Sequence, residues 1–368
     1  MPRICPHRYI FIFMRIGILT FHRAHNYGAV LQCYALQEVL KSMGHEVSVI
    51  DYQSKTLLNC YKVFDYHRFC KKNLAKVIKE IRLLSARRKR SNGFNLFISR
   101  CLNTVPVESI METPFDFIIV GSDQVWNFNL TKGFDNYYWG LFKHPTSTKL
   151  LSYAASMEEI WSKEDEPKLR SCLNNFSAIS VREESLKLKL STICTDKEIT
   201  MVVDPTLLID TVVWDRIAKK PSIAEPYLLL YQVRNNQKCH DIATKIAKEK
   251  GLRLIALSAA VNKLNSKEAV GASPEEFLGW FKYASFVVCA SFHGTVFSLV
   301  FQRPFYSIRL NDGKDSRVLN LMEKTGTLDK FIDDCPQDTD YEMYDTDMIR
   351  HTVKTMAESS MNYLKTNL

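Results

Sequence analysis

Short, continuous apolar runs alternate with helical stretches along nearly the whole chain, and that alternation leaves few folds open. Ile16, Ile18, Leu19 and Phe21 form one such run, and residues 115–120, 227–233, 252–257 and 286–290 form others. A strand covered on both faces reads as a continuous apolar run, whereas a strand with one wet face alternates. After the first run Val30, Leu31, Tyr34, Ala35, Val39, Leu40 and Met43 recur at spacings of three and four, the pattern of a helix laid on a sheet. Gly44 stops that helix and residues 46–51 return as a strand, which completes a β-α-β unit. The second half repeats the theme with strand 227–233, helix 237–250, a stop at Gly251 and strand 252–257. Strands alternating with helices predict parallel sheets and an α/β fold class. A chain of 368 residues has room for two domains with separate cores. Asp204-Pro205-Thr206 closes a strand over 199–203, so the boundary is placed there: one domain over 14–205, a second over 206–344, and a C-terminal helix within 345–368.

The corner over 285–308 is the most telling. Phe286-Val287-Val288-Cys289-Ala290 gives way to Ser291-Phe292-His293-Gly294, then to an apolar helix that Arg303-Pro304 stops before the next strand. A helix opening on Gly294-Thr295 is expected to leave backbone N–H groups pointing at the strand end, where an anion can be held. Ligands of open α/β sheets lie beyond the carboxyl ends of strands, so His293 either meets a bound phosphate or carboxylate there or is a hydrogen-bonded turn residue. Other strand ends add candidates. His22, Arg23, His25, Asn26, Tyr27 and Gly28 occupy the first connecting loop, as solvated polarity or as substrate contacts. Gly121-Ser122-Asp123-Gln124-Val125-Trp126-Asn127 is a small-then-polar corner of the kind that faces a cleft, with Trp126 as cleft or core. Arg182 ends the strand over 177–182, as an anion anchor or a plain ion pair with the acids that follow it. Helix 316–324 carries Arg317.

Several function classes are excluded. There is no G-x-G-x-x-G and no P-loop, which argues against a dinucleotide enzyme or a P-loop NTPase. Ten cysteines without a C-x-x-C pair read as reduced cytosolic thiols, and nine histidines without ligand spacing give no reason to expect a metal. Apolar content of 46% and charged content of 24% are those of a soluble globular protein. The apolar stretch from Tyr9 to Met14 is too short for a signal peptide, and Met14-Arg15-Ile16-Gly17 looks like a natural start, so residues 1–13 are read as an upstream extension. No later stretch reaches the roughly 18 to 20 apolar residues of a membrane span, and a cytoplasmic location is expected. Arg68, Lys71, Lys72, Lys76, Lys79, Arg82, Arg87, Arg88, Lys89 and Arg90 stand against the single acid Glu80, a surplus equal to the net charge of +9 of the whole chain. Leu74, Val77, Ile78, Ile81 and Leu84 share one face of that segment. It reads as a basic amphipathic helix, either solvated or drawn to an anionic membrane surface at the inner face of the membrane. Nucleic acid ranks last, because no recognition motif accompanies the charge.

Asn26-Tyr27-Gly28-Ala29, residues 117–123, Ser180-Val181-Arg182-Glu183, Val203-Asp204-Pro205-Thr206 and Ser291-Phe292-His293-Gly294 occur in the order of signatures of the polysaccharide pyruvyl transferase family, which the chain resembles from Gly17 to about Gly326. The resemblance implies two Rossmann-like domains facing a cleft, similar to the GT-B glycosyltransferases. It implies transfer of pyruvyl from phosphoenolpyruvate, with no further cofactor, onto two hydroxyls of a sugar or lipid-linked oligosaccharide in surface polysaccharide synthesis. By resemblance, His293 and Arg182 are the catalytic candidates. Arg182, Ser291, Gly294, Thr295, Arg309 and Arg317 are assigned to the donor. Asn26, Tyr27, Gly28, Ser122, Asp123 and Trp126 are assigned to the acceptor. One departure stands out: several members carry Arg two places before the histidine, where this chain has Ser291, and Arg309, Arg317 or Arg234 is expected to replace the charge. The competing readings are a GT-B-like glycosyltransferase using a nucleotide sugar and a binding protein that has lost catalysis.

Overall fold

Two parallel sheets organise the chain, as the alternation of apolar runs and helices predicts. The computed structural model describes residues 13–54, 56, 74–157, 161–311, 313, 315–336 and 344–368; residues 1–12 of the expected extension and residues 68–73 of the basic segment lie outside them. The first sheet holds β1 (Arg15–Leu19), β2 (Glu46–Ile50), β3 (Thr104–Val105), β4 (Phe117–Val120), β5 (Lys149–Ser152), β6 (Phe176–Val181) and β7 (Ile199–Met201), in the order β3-β2-β1-β4-β5-β6-β7. The second holds β8 (Tyr227–Gln232), β9 (Arg253–Ser258), β10 (Phe286–Ala290), β11 (Phe305–Ile308) and β12 (Phe331–Ile332), in the order β12-β11-β10-β8-β9. The apolar runs are central strands: every residue of β4, β8 and β10 is buried. Strand order reverses between β1 and β4 in one sheet and between β8 and β10 in the other. Such switch points open a crevice at the carboxyl ends of the strands.

The helices that frame the site are α1 (Tyr27–Ser42), α2 (Leu74–Cys101), α3 (Pro274–Lys282), α4 (Phe292–Val300), α5 (Ser316–Thr325) and α6 (Thr346–Asn367). Of these α3 starts as its sequence dictates. Pro274 stands at the first turn, Ser273 Oγ accepts from Glu276 N at 3.2 Å, and Ser273 N donates to Glu276 Oε2 at 3.1 Å. The first helix is buried on nearly every side, from Tyr27 to Gln37 without a break, because it is packed between the first sheet and the second domain. Its first residue makes the junction. The Tyr27 ring stacks on Phe277 of α3 with centroids 4.3 Å apart, and its hydroxyl donates to the Ala272 carbonyl at 2.9 Å. Stacked aromatic pairs add about 1 kcal/mol beyond their burial. Tyr231, Phe281 and Phe297 continue the cluster, so one hydrophobic core runs through both domains. The C-terminal α6 crosses back to the first domain, where the Tyr363 hydroxyl donates to Ser152 O at 3.0 Å and Ser360 Oγ accepts from Val203 N at 3.0 Å.

The basic segment turns inward at its end. Arg90 of α2 is 6% exposed, its Nη1 donates to the Tyr27 hydroxyl at 2.5 Å and its Nη2 to the His25 carbonyl at 2.8 Å. Its guanidinium lies 4.4 Å from the Tyr27 ring centroid and 4.7 Å from that of Phe94. Arg88 and Lys89 remain exposed. Thus one charge of the run is a structural brace at the domain junction, while its neighbours face outward. No described helix is long and apolar enough to cross a membrane, and the described cysteines are unpaired.

Arg90→Ala removes two charge-assisted hydrogen bonds and a cation–π contact at this junction. It should lower the unfolding free energy by about 3 kcal/mol. A urea titration followed by tryptophan fluorescence reads this directly, and an unshifted midpoint would show that the brace contributes nothing.

Candidate functional site

The carboxyl ends of β6 and β7 from one domain and of β10 from the other meet at a buried carboxylate, that of Asp204. It is 1% exposed and caps the short helical turn Pro205–Leu207, with Oδ1 accepting from Thr206 N at 3.0 Å and from Thr206 Oγ1 at 2.7 Å. Oδ2 accepts from Arg182 Nη1 at 2.5 Å and lies 3.6 Å from His293 Nε2 of the second domain. Burial pushes this carboxyl up, yet His293, Arg182 and Thr206 together hold it well below the usual carboxylate range. Arg182 is the counterpart. Burial disfavours its charge, but Glu183, Asp204 and Asp123 around it raise its pKa above the ordinary value. Its Nε donates to Glu183 Oε1 at 3.2 Å, and its guanidinium carbon sits 5.0 Å from the centroid of the Phe292 ring. Nη2 lies 3.8 Å from Asp123 Oδ1 and has no hydrogen-bond partner among the described residues, which is also true of His293 Nε2.

His293 enters the site at the start of α4. The helix begins at Phe292 rather than at Gly294, because Ser291 is its N-cap: Ser291 Oγ accepts from Gly294 N at 3.0 Å and Ser291 O from Thr295 N at 3.1 Å. The amides of Gly294 and Thr295, expected to hold an anion, are therefore committed to the cap, and the Thr295 hydroxyl bonds Ser291 O and Ser307 Oγ. The imidazole packs directly on Gly28 across the domain junction. A Cβ at Gly28 would fall 2.1 Å from His293 Nδ1, so only glycine admits the ring.

A cavity of about 280 Å³ opens in front of His293, lined among others by Asn26, Asp123, Gln124, Arg234, Ser291 and Arg317. Asn26 caps α1, its side-chain oxygen accepting from Gly28 N at 3.0 Å. Asp123 sits in the left-handed region at φ 68°, which Asp tolerates better than most residues. Gln124, with its amide oxygen turned toward Arg317, accepts from Nη1 and Nη2 at 3.2 Å each, joining the two domains across the cavity. A second cavity of about 330 Å³ lies behind the Phe292 ring, lined by Arg182, Asp204, Arg317, Lys324 and Ser360 among others. Phe292 and Arg317 line both. Burial lowers the pKa of Lys324 in the rear cavity.

The structure thus brings together Asn26, Gly28, Asp123, Arg182, Ser291, His293 and Arg317 of the expected residues. It places four others elsewhere. Tyr27 is fully buried in the domain junction. Ser122 lies under the β4 corner, its amide donating to Gln32 Oε1. Trp126 is a core residue stacked on Trp139, with its indole N–H on the Tyr138 carbonyl. Arg309 sits over Phe331 with Asp333 3.9 Å away, outside the lining of either cavity. Of the arginines considered as substitutes for a charge at position 291, Arg317 and Arg234 line the cavity. Asp204, Gln124 and Phe292 are additions. Asp204 had a signal, an acid before Pro and Thr at a strand end, which reads equally as a turn. Among the described residues no group of acids, histidines and cysteines is arranged to hold a metal ion.

A family model described as "Polysaccharide pyruvyl transferase" matches residues 26–312. No curated protein matches the sequence. Among solved structures, the chain is similar to a S. aureus MnaA-UDP co-structure (10% identity, 96% of each chain covered, TM-score 0.45). It is also similar to Methanocaldococcus jannaschii UDP-GlcNAc 2-epimerase in complex with UDP-GlcNAc and UDP (10% identity, 94% of this chain and 100% of that one, TM-score 0.43). A third is the glycosyltransferase SnogD from Streptomyces nogalater (9% identity, 97% and 100% covered, TM-score 0.37).

The depressed Asp204 carboxyl has a consequence for stability. Below pH 4 the unfolded chain takes up this proton and the folded chain resists it, so the contribution of Asp204 is complete above that pH and is lost as the pH falls. Its share of the slope approaches about 1.4 kcal/mol per pH unit. Asp204→Asn should flatten the fall in urea stability between about pH 4 and pH 2, and an unchanged slope would show that Asp204 is not held ionised.

Proposed function

The chain belongs to the polysaccharide pyruvyl transferase family, and from that premise we propose that it moves the pyruvyl group of phosphoenolpyruvate onto two hydroxyls of a sugar as a cyclic ketal. The observation that carries the proposal is the meeting of His293 and Arg182 on Asp204 between the domains, beside a cavity lined by His293, Arg317 and Arg234. The donor is a small dianionic-to-trianionic molecule, and its reaction needs one group that moves protons and several cations that do not.

In this reading a proton is added to the enol methylene, which becomes a methyl group and leaves positive charge on the adjacent carbon. A sugar hydroxyl attacks that carbon and gives up its proton. The C–O bond to phosphate then breaks, phosphate leaves, and a second hydroxyl closes the ring and gives up its proton. One of the two hydroxyl protons balances the one placed on the methylene, and the other leaves with phosphate. His293 is the proton-transfer group. With Nε2 turned toward Asp204, its Nδ1 exchanges the proton, and the carboxylate stabilises the imidazolium. Arg317, oriented by Gln124, and Arg234 anchor carboxylate and phosphate, while Arg182 holds Asp204 in place behind His293. The acceptor is a sugar or a lipid-linked oligosaccharide of a surface polysaccharide, met in the cytoplasm at the inner membrane face. The outward Arg88 and Lys89 suit an anionic lipid surface there.

Phosphoenolpyruvate at about 100 times its Kd should stabilise the native state by about 2.7 kcal/mol and raise the melting temperature by a few degrees. The rise should vanish in Arg317→Ala and His293→Ala. Absence of a rise in the wild type, or a rise with UDP-N-acetylglucosamine alone, would overturn the assignment, the second outcome in favour of a nucleotide-sugar glycosyltransferase.

A further inference from the structure

The cavity of about 330 Å³ behind the Phe292 ring has no task in the reaction proposed above. It lies where three parts of the chain meet: the end of β7 with the turn that follows it, α5 of the second domain, and α6 on its way back to the first. Pockets at such junctions are a common place for small ligands. Arg317, Asn320, Leu321 and Lys324 line it from α5 at spacings of three, four and seven, so one face of that helix runs along the cavity. Thr355, Met356, Ser359 and Ser360 line it from α6.

Its walls are mostly apolar. Met201, Val202, Val203, Leu207, Leu321 and Met356 supply aliphatic groups and thioethers, and the two methionines adapt readily to the shape of a guest. The acids on its floor are already matched. Glu183 Oε1 accepts from Arg182 Nε at 3.2 Å and from Ser156 Oγ at 2.7 Å, and Asp204 Oδ2 accepts from Arg182 Nη1. The α5 side, by contrast, is positive, with Arg317 and, two turns on, Lys324. Lys324 stands at the exposed rim with Thr355 and Ser359, and its Nζ contacts the Met201 thioether at 3.6 Å, a weak acceptor for a full charge. Burial lowers its pKa, with Lys187 and against Glu184. A cation at the rim of an apolar chamber, with a sulfur for a partner, is better satisfied by a carboxylate.

We infer that this chamber is a second ligand site, which takes a small carboxylate with an apolar body: the body rests between Met201, Leu321 and Met356, and the carboxylate meets Lys324 at the rim. The site is distinct from the cavity that holds His293 and does not depend on what is transferred there. It is nevertheless coupled to that cavity by position. Phe292 and Arg317 line both, so an occupant of the rear chamber restrains two walls of the front one.

The test is a titration of protein carrying carbon-13 in its methionine methyl groups with butanoate, hexanoate, octanoate and 3-phenylpropanoate, each beside its primary amide. Met201 and Met356 report on the chamber, and Met322, buried in the core, is the internal control. The longer carboxylates should shift the Met201 and Met356 signals saturably, with half-saturation near about 1 mM and a gain of about threefold per added methylene until the chamber is full. Each should bind about tenfold more tightly than its amide, and Lys324→Gln should remove that difference. Thr355→Phe should weaken all of them by narrowing the mouth. Both positions are exposed, so neither replacement disturbs the core. No saturable shift with any carboxylate, equal binding of acid and amide, or a preference untouched in Lys324→Gln would overturn the site. So would a gain that continues unbroken to hexadecanoate, which would mark an open groove for lipid chains in place of a bounded chamber.

Discussion

A carboxylate taken wholly out of water must be met by positive charge and hydrogen bonds or it will not stay ionised, and Asp204 states that requirement at the centre of this molecule. Its partners come from different parts of the chain: Thr206 from the same turn, Arg182 from the end of β6, and His293 from the second domain. Satisfying one charge therefore assembles the site and helps to dock the domains. Gly28 sets the remaining dimension. Its bare α-carbon receives the imidazole face, so the ring is held between a carboxylate and a backbone with no freedom to swing away.

Topology explains why these groups can meet. Each sheet reverses its strand order once, and a reversal leaves the strand ends on either side without a helix to cover them. The loops after β1 and β4 and those after β8 and β10 face one another across that gap. Rigidity then comes from elements that belong to both halves: α1, buried without a break from Tyr27 to Gln37; Tyr27 stacked on Phe277; and α6, which returns to bond Ser152 and Val203. Exposed loops positioned by such a frame can hold side chains in fixed geometry without being rigid themselves.

The frame was legible because burial on both faces of a strand leaves a continuous apolar signature, as in Phe286–Ala290 and Tyr227–Gln232. His293 was legible for the same reason, standing where a strand ends and a helix starts. The start of that helix was displaced by two residues, since a serine can close a strand or cap a helix and sequence alone does not say which; with Ser291 as the cap, the Gly294 and Thr295 amides face inward. Tyr27 and Trp126 illustrate a second limit. Each sits among polar loop residues, and whether such a ring turns to the cleft or to the core depends on partners far along the chain, Phe277 for one and Trp139 for the other. Asp204 was visible as a turn and invisible as a site, because its meaning comes from two residues that are distant in sequence.

Ser291 puts a hydroxyl where the helix needs a cap. At this position its side chain serves the start of α4, and the arginines that line the cavity are Arg317 of α5 and Arg234 after β8. Arg317 is held by Gln124 of the opposite domain, so its direction depends on the junction as well as on its own helix. An arginine on the His293 turn would be fixed relative to the histidine by local geometry alone. Here His293 and Arg317 belong to one domain, so that domain fixes the spacing of their helices, while the contact with Gln124 across the junction fixes the direction in which the Arg317 side chain points.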